Sequence, residues 1–415
     1  MEIGPLVKKR RICTLAIGIG TTTRKYSGTS NRMANDIIPV TKVLEIGVET
    51  YGDTKSPSTF PCWFDLDLAR AGQKFASKYF GHVLFANSLS SIVLLSDRQV
   101  REALLLARDT FAPGKNAKTY IATAQQILLW YQSDILSTEW SMSLKNVREI
   151  HLSVSKRLKE KDTSSGRKAA LEDNSVFRSK TNTKMWEAFR MDIRKLDTPE
   201  TRQKFVPSNS ISPRFRFNQY AMSIALWSFV ALPVLKPDQL GISKFSEEDL
   251  QGFAHLWATI AYTLGMDERF IFCKNTVAQW TECKEYLKDL FTAYYLPQLL
   301  ELDFQGEILI ENQFHGVQEL TPGISDDAWL INLLENHLGV RATHLRRQQN
   351  LPSILFGSTA NWFATDATRI SPSLQRIYYR LVSSIFKSSS IKHFGDPGTN
   401  ATIVASRHFS WEREL

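Results

Sequence analysis

The chain of 415 residues has no run of 18 apolar residues, and its longest apolar stretches, 217–232 and 84–95, are interrupted by polar groups. A helix that crosses a bilayer needs about 20 such residues, so both stretches read as buried helices. Only four cysteines occur (Cys13, Cys62, Cys273, Cys283), and none stands in a C-x-x-C pair. That excludes a zinc ribbon, a thioredoxin-type site and covalent c-type haem attachment. It gives no disulfide framework and makes a reducing compartment the default. H-E-x-x-H, Walker A, G-x-S-x-G and EF-hand patterns are all missing, which removes the chemistries those motifs carry. Gly18-Ile19-Gly20 opens like a dinucleotide fingerprint but lacks the third glycine and a preceding strand. His82, His315, His337, His344, His393 and His408 are scattered without ligand spacing, so hydrolytic zinc has little support. No period-2 alternation lasts long enough for a sheet and no fixed period repeats, so the expected fold is all-α.

What is present is a globular composition, 43% apolar and 22% charged, with a net charge of +9. The basic excess is local: residues 145–216 hold 18 Lys and Arg against 9 Asp and Glu. Such a surplus fits a solvated loop face, or a surface for nucleic acid, anionic lipid or an anionic ligand. No recognition helix or stacking motif accompanies it, which argues against nucleic acid. Before Asp36 there are seven basic residues and one acid, Glu2, in a Ser- and Thr-rich setting that fits a transit peptide or a basic tail. The expected organisation is a basic, flexible segment 1–55, a helical domain 56–345 and a helical C-terminal extension 346–415. Order is expected to begin at PCWFD, after the breaker cluster GDTKSPSTFP.

Helical spacing is clearest in LKNVREIHLSVSKRL (144–158), where Leu144, Val147, His151, Val154 and Leu158 share one face. That face is apolar except for His151, and Arg148 lies close to it in angle. On 118–130, Thr119, Thr123, Gln126 and Trp130 fall on one face, a poor hydrophobic stripe that suits the lining of a polar pocket. Residues 159–183 read as an exposed loop. Pro233 is expected to end the 217–232 helix. Ser246 with Asp249 forms a capping box for the stripe Leu250, Phe253, Trp257, Ile260 and Leu264, closed by Gly265. His255 falls off that stripe, in a second layer or exposed. A histidine on an apolar face is either bonded within the core or free to ligate. Haem iron needs one axial imidazole, apolar packing around the porphyrin and cations for the propionates. Composition and spacing permit His151 the first role and Arg148 the last, with Lys118, Thr119, Thr123 and Gln126 on the opposite side.

The segments PCWFDLDLARAGQKF, TYIATAQQILLWYQSD, SLKNVREIH, FNQYAMSIALWSF and SEEDLQGFAHLWATIAYTLGMDERFIFC run in order over roughly residues 60–290. This order resembles the rubber oxygenase (latex-clearing protein) and MpaB-type, ER-bound oxygenase catalytic-domain family, especially its arthropod branch. The resemblance implies a single large helical domain, partly globin-like, around a buried pocket for non-covalent haem b. It implies cleavage of a C=C bond of a hydrophobic, isoprenoid-like substrate with O₂. His151 matches the family's proximal iron ligand and Arg148 its companion arginine. Gln126, Gln219 and Met222 are further cofactor-contact candidates, and Lys118, Thr119 and Thr123 are candidates for steering oxygen. The chain departs from the family at Thr119, where the distal arginine is usual, and at Ala221, Ala258 and Ile271, where an acid, an arginine and an asparagine are usual. The implied location is intracellular, cytoplasmic or ER-associated, with peripheral membrane contact and no transmembrane helix. Two rival expectations accompany this one: a catalytically degenerate haem- or lipid-binding protein of the same fold, and a basic helical module using 145–216 to bind nucleic acid or anionic membrane.

Overall fold

A computed structural model describes residues 37–54, 60–107, 113–163, 165–166, 181–207, 211–274 and 277–395. Every regular element among them is helical, and the strand-like pairing present is one bridge between Tyr51 and Asn218. The principal helices are α1 (Val43–Val48), α2 (Leu66–Lys78), α3 (Phe80–Ser96), α4 (Arg98–Ala107), α5 (Pro113–Gln132), α6 (Thr138–Lys161) and α7 (Thr183–Ile193). They continue with α8 (Gln219–Leu235), α9 (Glu247–Thr263), α10 (Trp280–Leu290), α11 (Phe304–Val317), α12 (Leu351–Trp362) and α13 (Pro372–Phe394). The all-α expectation is what the structure shows.

Because α8 is apolar on nearly every side, it must be enclosed, and it lies against α1, α3 and α9 with Tyr220, Ile224, Trp227 and Ala231 buried. Asn218 starts it by accepting the Ala221 N–H at 2.8 Å. Pro233 does not end it. The helix continues to Leu235, since a proline so near the end costs only one carbonyl partner, that of Phe229. Helices α2 and α9 cross at backbone contact: a Cβ on Gly72 would lie 2.2 Å from the Gly252 carbonyl oxygen. The capping box of α9 is present in both halves, Asp249 N–H to Ser246 Oγ at 3.1 Å and Ser246 N–H to Asp249 Oδ2 at 2.8 Å.

Several expectations need correction. Order begins before PCWFD: Val43, Leu44 and Val48 are fully buried, so residues 37–54 belong to the fold, and residues 1–36 lie outside the described residues. The hexapeptide VLEIGV was too short to show a period, and Gly47 lets it touch the α8 backbone, where a Cβ would lie 2.7 Å from the Tyr220 nitrogen. His255 is buried, not peripheral. Its Nε2 accepts the Asp65 N–H at 3.0 Å, which leaves Nδ1–H to donate to the Lys274 carbonyl at 3.2 Å. The cause is that PCWFD covers the polar side of α9, with the Trp63 and Phe64 rings against the imidazole. Cys273, in the loop after α9, forms a disulfide with Cys283 of α10, a pairing invisible to C-x-x-C spacing. The exposed loop expected at 159–183 starts late, since α6 runs to Lys161, and residues 167–180 lie outside the described residues.

The C-terminal helix α13 packs onto the core: Tyr378 and Val382 face Gly81 of α3, and Phe386 joins Ile121 and Ala124 of α5. No single helix among the described residues is long and apolar enough to cross a membrane. Helices α2 and α3 pass that test only together, and they bend by 89° at their junction.

Candidate functional site

Helices α5 and α6 form a hairpin pinned at its closed end. Ser137 caps α6 by accepting the Trp140 N–H, with Glu139 in the first turn and Lys159 and Lys161 in the last, each favourable to the helix dipole. Trp130 Nε1–H donates to Ser143 Oγ at 2.8 Å, and Ser143 Oγ–H donates to Gln126 Oε1 at 2.6 Å. Trp140 Nε1–H adds a bond to the Trp130 carbonyl at 3.2 Å. Gln126 is thus a strut between the two helices, through a residue, Ser143, that the sequence did not single out.

From that pin, seven residues back along α5 reach Thr119 and eight forward along α6 reach His151, each about 10–12 Å away at 1.5 Å per residue. Thr119 lies on the pinned side of α5, and His151 lies about 80° round α6 from Ser143. Between them the arms are not sealed: Thr123 is exposed, and Val147 and His151 are half-buried. Each threonine hydroxyl donates to the carbonyl four residues back on its own helix, Thr119 to Lys115 and Thr123 to Thr119, both at 3.0 Å. Lys118 points elsewhere, with its Nζ over the Phe394 ring at 5.6 Å, against the end of α13.

The His151 ring packs against Phe217 with centroids 6.0 Å apart. Its Nδ1 is enclosed without a hydrogen-bond partner, and Nε2 makes no hydrogen bond to any described residue. Desolvation pulls its pKa down to about 4, so at neutral pH the ring is uncharged and offers a lone pair. The buried Nδ1, by contrast, lacks the carbonyl acceptor that holds His255.

Arg148 is buried and already paired. Its Nε–H donates to Asp53 Oδ1 at 2.7 Å and its Nη2 to the Thr54 carbonyl at 3.1 Å. Gln219 holds the same segment, donating from Nε2 to the Tyr51 and Gly265 carbonyls at 3.0 and 3.3 Å and accepting the Asp267 N–H at 3.0 Å. Tyr51 reaches α6 through its hydroxyl, 2.9 Å from Ser155 Oγ. Gly265, at φ +99°, allows this approach, because a Cβ there would overlap the Asp53 carboxylate. The strap 51–54 thus lies along the His151 helix, and Arg148 and Gln219, expected at a cofactor, bind this strap. Met222 packs at the edge of the main core. Asp53 escaped notice because it sits in a breaker cluster read as preceding the fold.

An iron porphyrin fits these residues in part. An imidazole that is neutral and has no hydrogen-bond partner among the described residues suits an iron ligand, and Phe217 beside it supplies apolar packing. Arg148 brings no free charge for a propionate, since Asp53 neutralises it. Among the described residues no three His, Cys, Asp or Glu side chains come together to hold a metal ion. Part of the basic surplus of 145–216 is paired among the described residues: Arg216 lies between Glu102 and Asp162, Arg190 meets Glu307, and Lys195, Arg202 and Lys204 meet Asp192, Asp197 and Asp289.

No protein-family model matches the chain, and no curated protein matches it in sequence. Among solved structures it is similar to one titled "Structure of Latex Clearing Protein LCP in the closed state", at 15% sequence identity and a TM-score of 0.43, over 80% of this chain and 82% of that one.

Proposed function

We propose that this chain is a haem b protein in which His151 is the axial ligand, and that it oxidises a hydrophobic, isoprenoid-like substrate at a C=C bond with O₂. The observation that carries the reading is the His151 imidazole of α6, neutral, packed on Phe217 and with neither nitrogen hydrogen-bonded to any described residue. The order of motifs from PCWFD to the α9 helix supports it. Haem iron held there would supply O₂ binding and activation. The chain's own residues would then act as follows. His151 offers a lone pair without first losing a proton. Phe217 excludes water from one side of the ring. The Arg148–Asp53 pair and the 51–54 strap fix the angle of α6. Gln126 and Ser143 set how far the hairpin opens.

One observation favours the second reading, a haem- or hydrophobic-ligand-binding protein without turnover. Thr119 and Thr123 donate their hydroxyl protons to their own helix, so each is left with lone pairs and no free donor.

The test is the visible spectrum of the full chain reconstituted with haem. A Soret band that is lost in His151→Gly and restored by added imidazole is the expected result. A chain that takes up no haem, or a spectrum indifferent to His151, overturns the reading. Incubating the loaded chain with an isoprenoid alkene and O₂ then separates the two versions: carbonyl products mean turnover, and unchanged alkene means binding alone.

A further inference from the structure

The large apolar side chains that this fold leaves exposed are unevenly placed. Among the described residues fifteen are exposed, and nine of them lie between 351 and 391: Leu351, Ile354, Leu355, Trp362, Ile370, Ile377, Tyr379, Leu381 and Ile391. On α12, Leu351, Leu355 and Trp362 are 73%, 64% and 52% exposed and stand at i, i+4 and i+11, within an arc of about 40°. The opposite side of α12 is the packed one, where a Cβ on Gly357 would touch Ala328 and Asn361 bonds Asn332. The apolar line therefore faces outward by construction. Ile370, 74% exposed, follows in the joint between α12 and α13.

On α13 the outward arc carries two parallel rows. Arg376, Arg380 and Lys387 are exposed at i, i+4 and i+11, and Ile377, Leu381 and Ile391 are exposed alongside them. The cations are not isolated. Residues 341–395 contain 8 Lys and Arg against a single acid, Asp366. Arg346, Arg369 and Lys392 have carboxylate partners, whereas Arg347, Arg376, Arg380 and Lys387 have none among the described residues. These four cations lie within one helical stretch whose single acid is taken by Arg369.

We propose that α12 and α13 seat this chain on an anionic phospholipid surface, without crossing it. Single protruding Leu, Ile and Trp side chains with Lys and Arg beside them are what a helix lying in a bilayer interface requires. Charge identifies the occupant. A second copy would bring the same cations against these ones in a self-complementary contact. A nucleic acid would use the cations and leave the Leu351–Leu355–Trp362 line in water. An anionic leaflet satisfies both rows together, because each basic side chain near such a surface contributes roughly fivefold to partitioning.

The experiment is co-sedimentation of the full chain with vesicles of phosphatidylcholine alone or of phosphatidylcholine mixed with phosphatidylserine. The expected result is sedimentation with the mixed vesicles only, released by high salt. Arg376→Gln/Arg380→Gln/Lys387→Gln should weaken it roughly a hundredfold. Leu355→Ser/Trp362→Ser should weaken it as well, and Lys156→Gln/Lys159→Gln on α6 should leave it unchanged. All these side chains are exposed, and an unchanged circular dichroism spectrum confirms that each variant folds. The proposal is overturned by no sedimentation with anionic vesicles, by equal sedimentation with both kinds, or by a triple variant that binds like the parent. A dimer in light scattering that Leu355→Ser/Trp362→Ser dissociates would likewise overturn it, assigning the face to a second copy.

Discussion

A buried imidazole can be held in several ways, and this chain uses more than one. His255 has both nitrogens bonded to backbone groups, and His82 lies 3.2 Å from the Thr368 hydroxyl. His151 and His337 have enclosed nitrogens with no partner among the described residues. Spacing put His151 on an apolar face and His255 off one, but it could not give their partners, which are contributed by residues up to 286 positions away. The same holds for Arg148, whose place on the helix was legible and whose partner was not. Asp53 and Arg148 are a nearly enclosed pair, each side chain 11% exposed. Removing one partner leaves the other as an uncompensated charge, so Asp53→Ala should cost about 3 kcal/mol in urea unfolding. Asp53→Ala combined with Arg148→Met should recover most of that. Equal loss in the single and double variants would show that the pair itself is not the source.

At the scale of helices, spacing was informative wherever one face met the core and the other met water. The α9 stripe, its capping box and the single-sided face of α6 were all legible for that reason. It failed where tertiary contact decides: α1 was too short to show a period, and α9 is covered on its polar side as well. The α2–α9 crossing was also unreadable, since Gly72 and Gly252 are 180 residues apart and neither lies in a turn signal. It is nevertheless the closest approach of two helices described above. Gly72→Ala would place a methyl carbon 2.2 Å from the Gly252 oxygen, so the helices must separate, at a cost of about 3 kcal/mol. A thermal melt reads this directly, and an unchanged midpoint would mean that the crossing has slack. The hairpin of α5 and α6 was legible as two faces, while the Trp130–Ser143–Gln126 chain that sets its angle was not, because serine carries no periodic signal.

Across the whole molecule, acid should act through histidine before it acts through carboxylates. Burial lowers His82 from 6.5 to about 4 and His337 to about 3. Between those values and 6.5 the unfolded chain binds protons that the folded chain refuses, so stability rises with pH across that window and falls as acid is added. The melting temperature should be nearly flat above about pH 7 and decline from about pH 6.5 downward. The decline should be shallower in His337→Leu. A curve that stays flat to pH 5 would show that these rings are hydrated. The all-α architecture of the chain was legible, because composition and periodicity average over many residues. The start of the fold was misplaced because the breaker cluster before PCWFD lies inside it.

The disulfide between Cys273 and Cys283 has a reach beyond its own loop. Lys274, the next residue, lends its carbonyl to His255, and His255 in turn holds the backbone that opens α2. That buried sulfur pair is thereby joined, through one carbonyl and one imidazole, to the first turn of a core helix, so reducing it should loosen the start of α2.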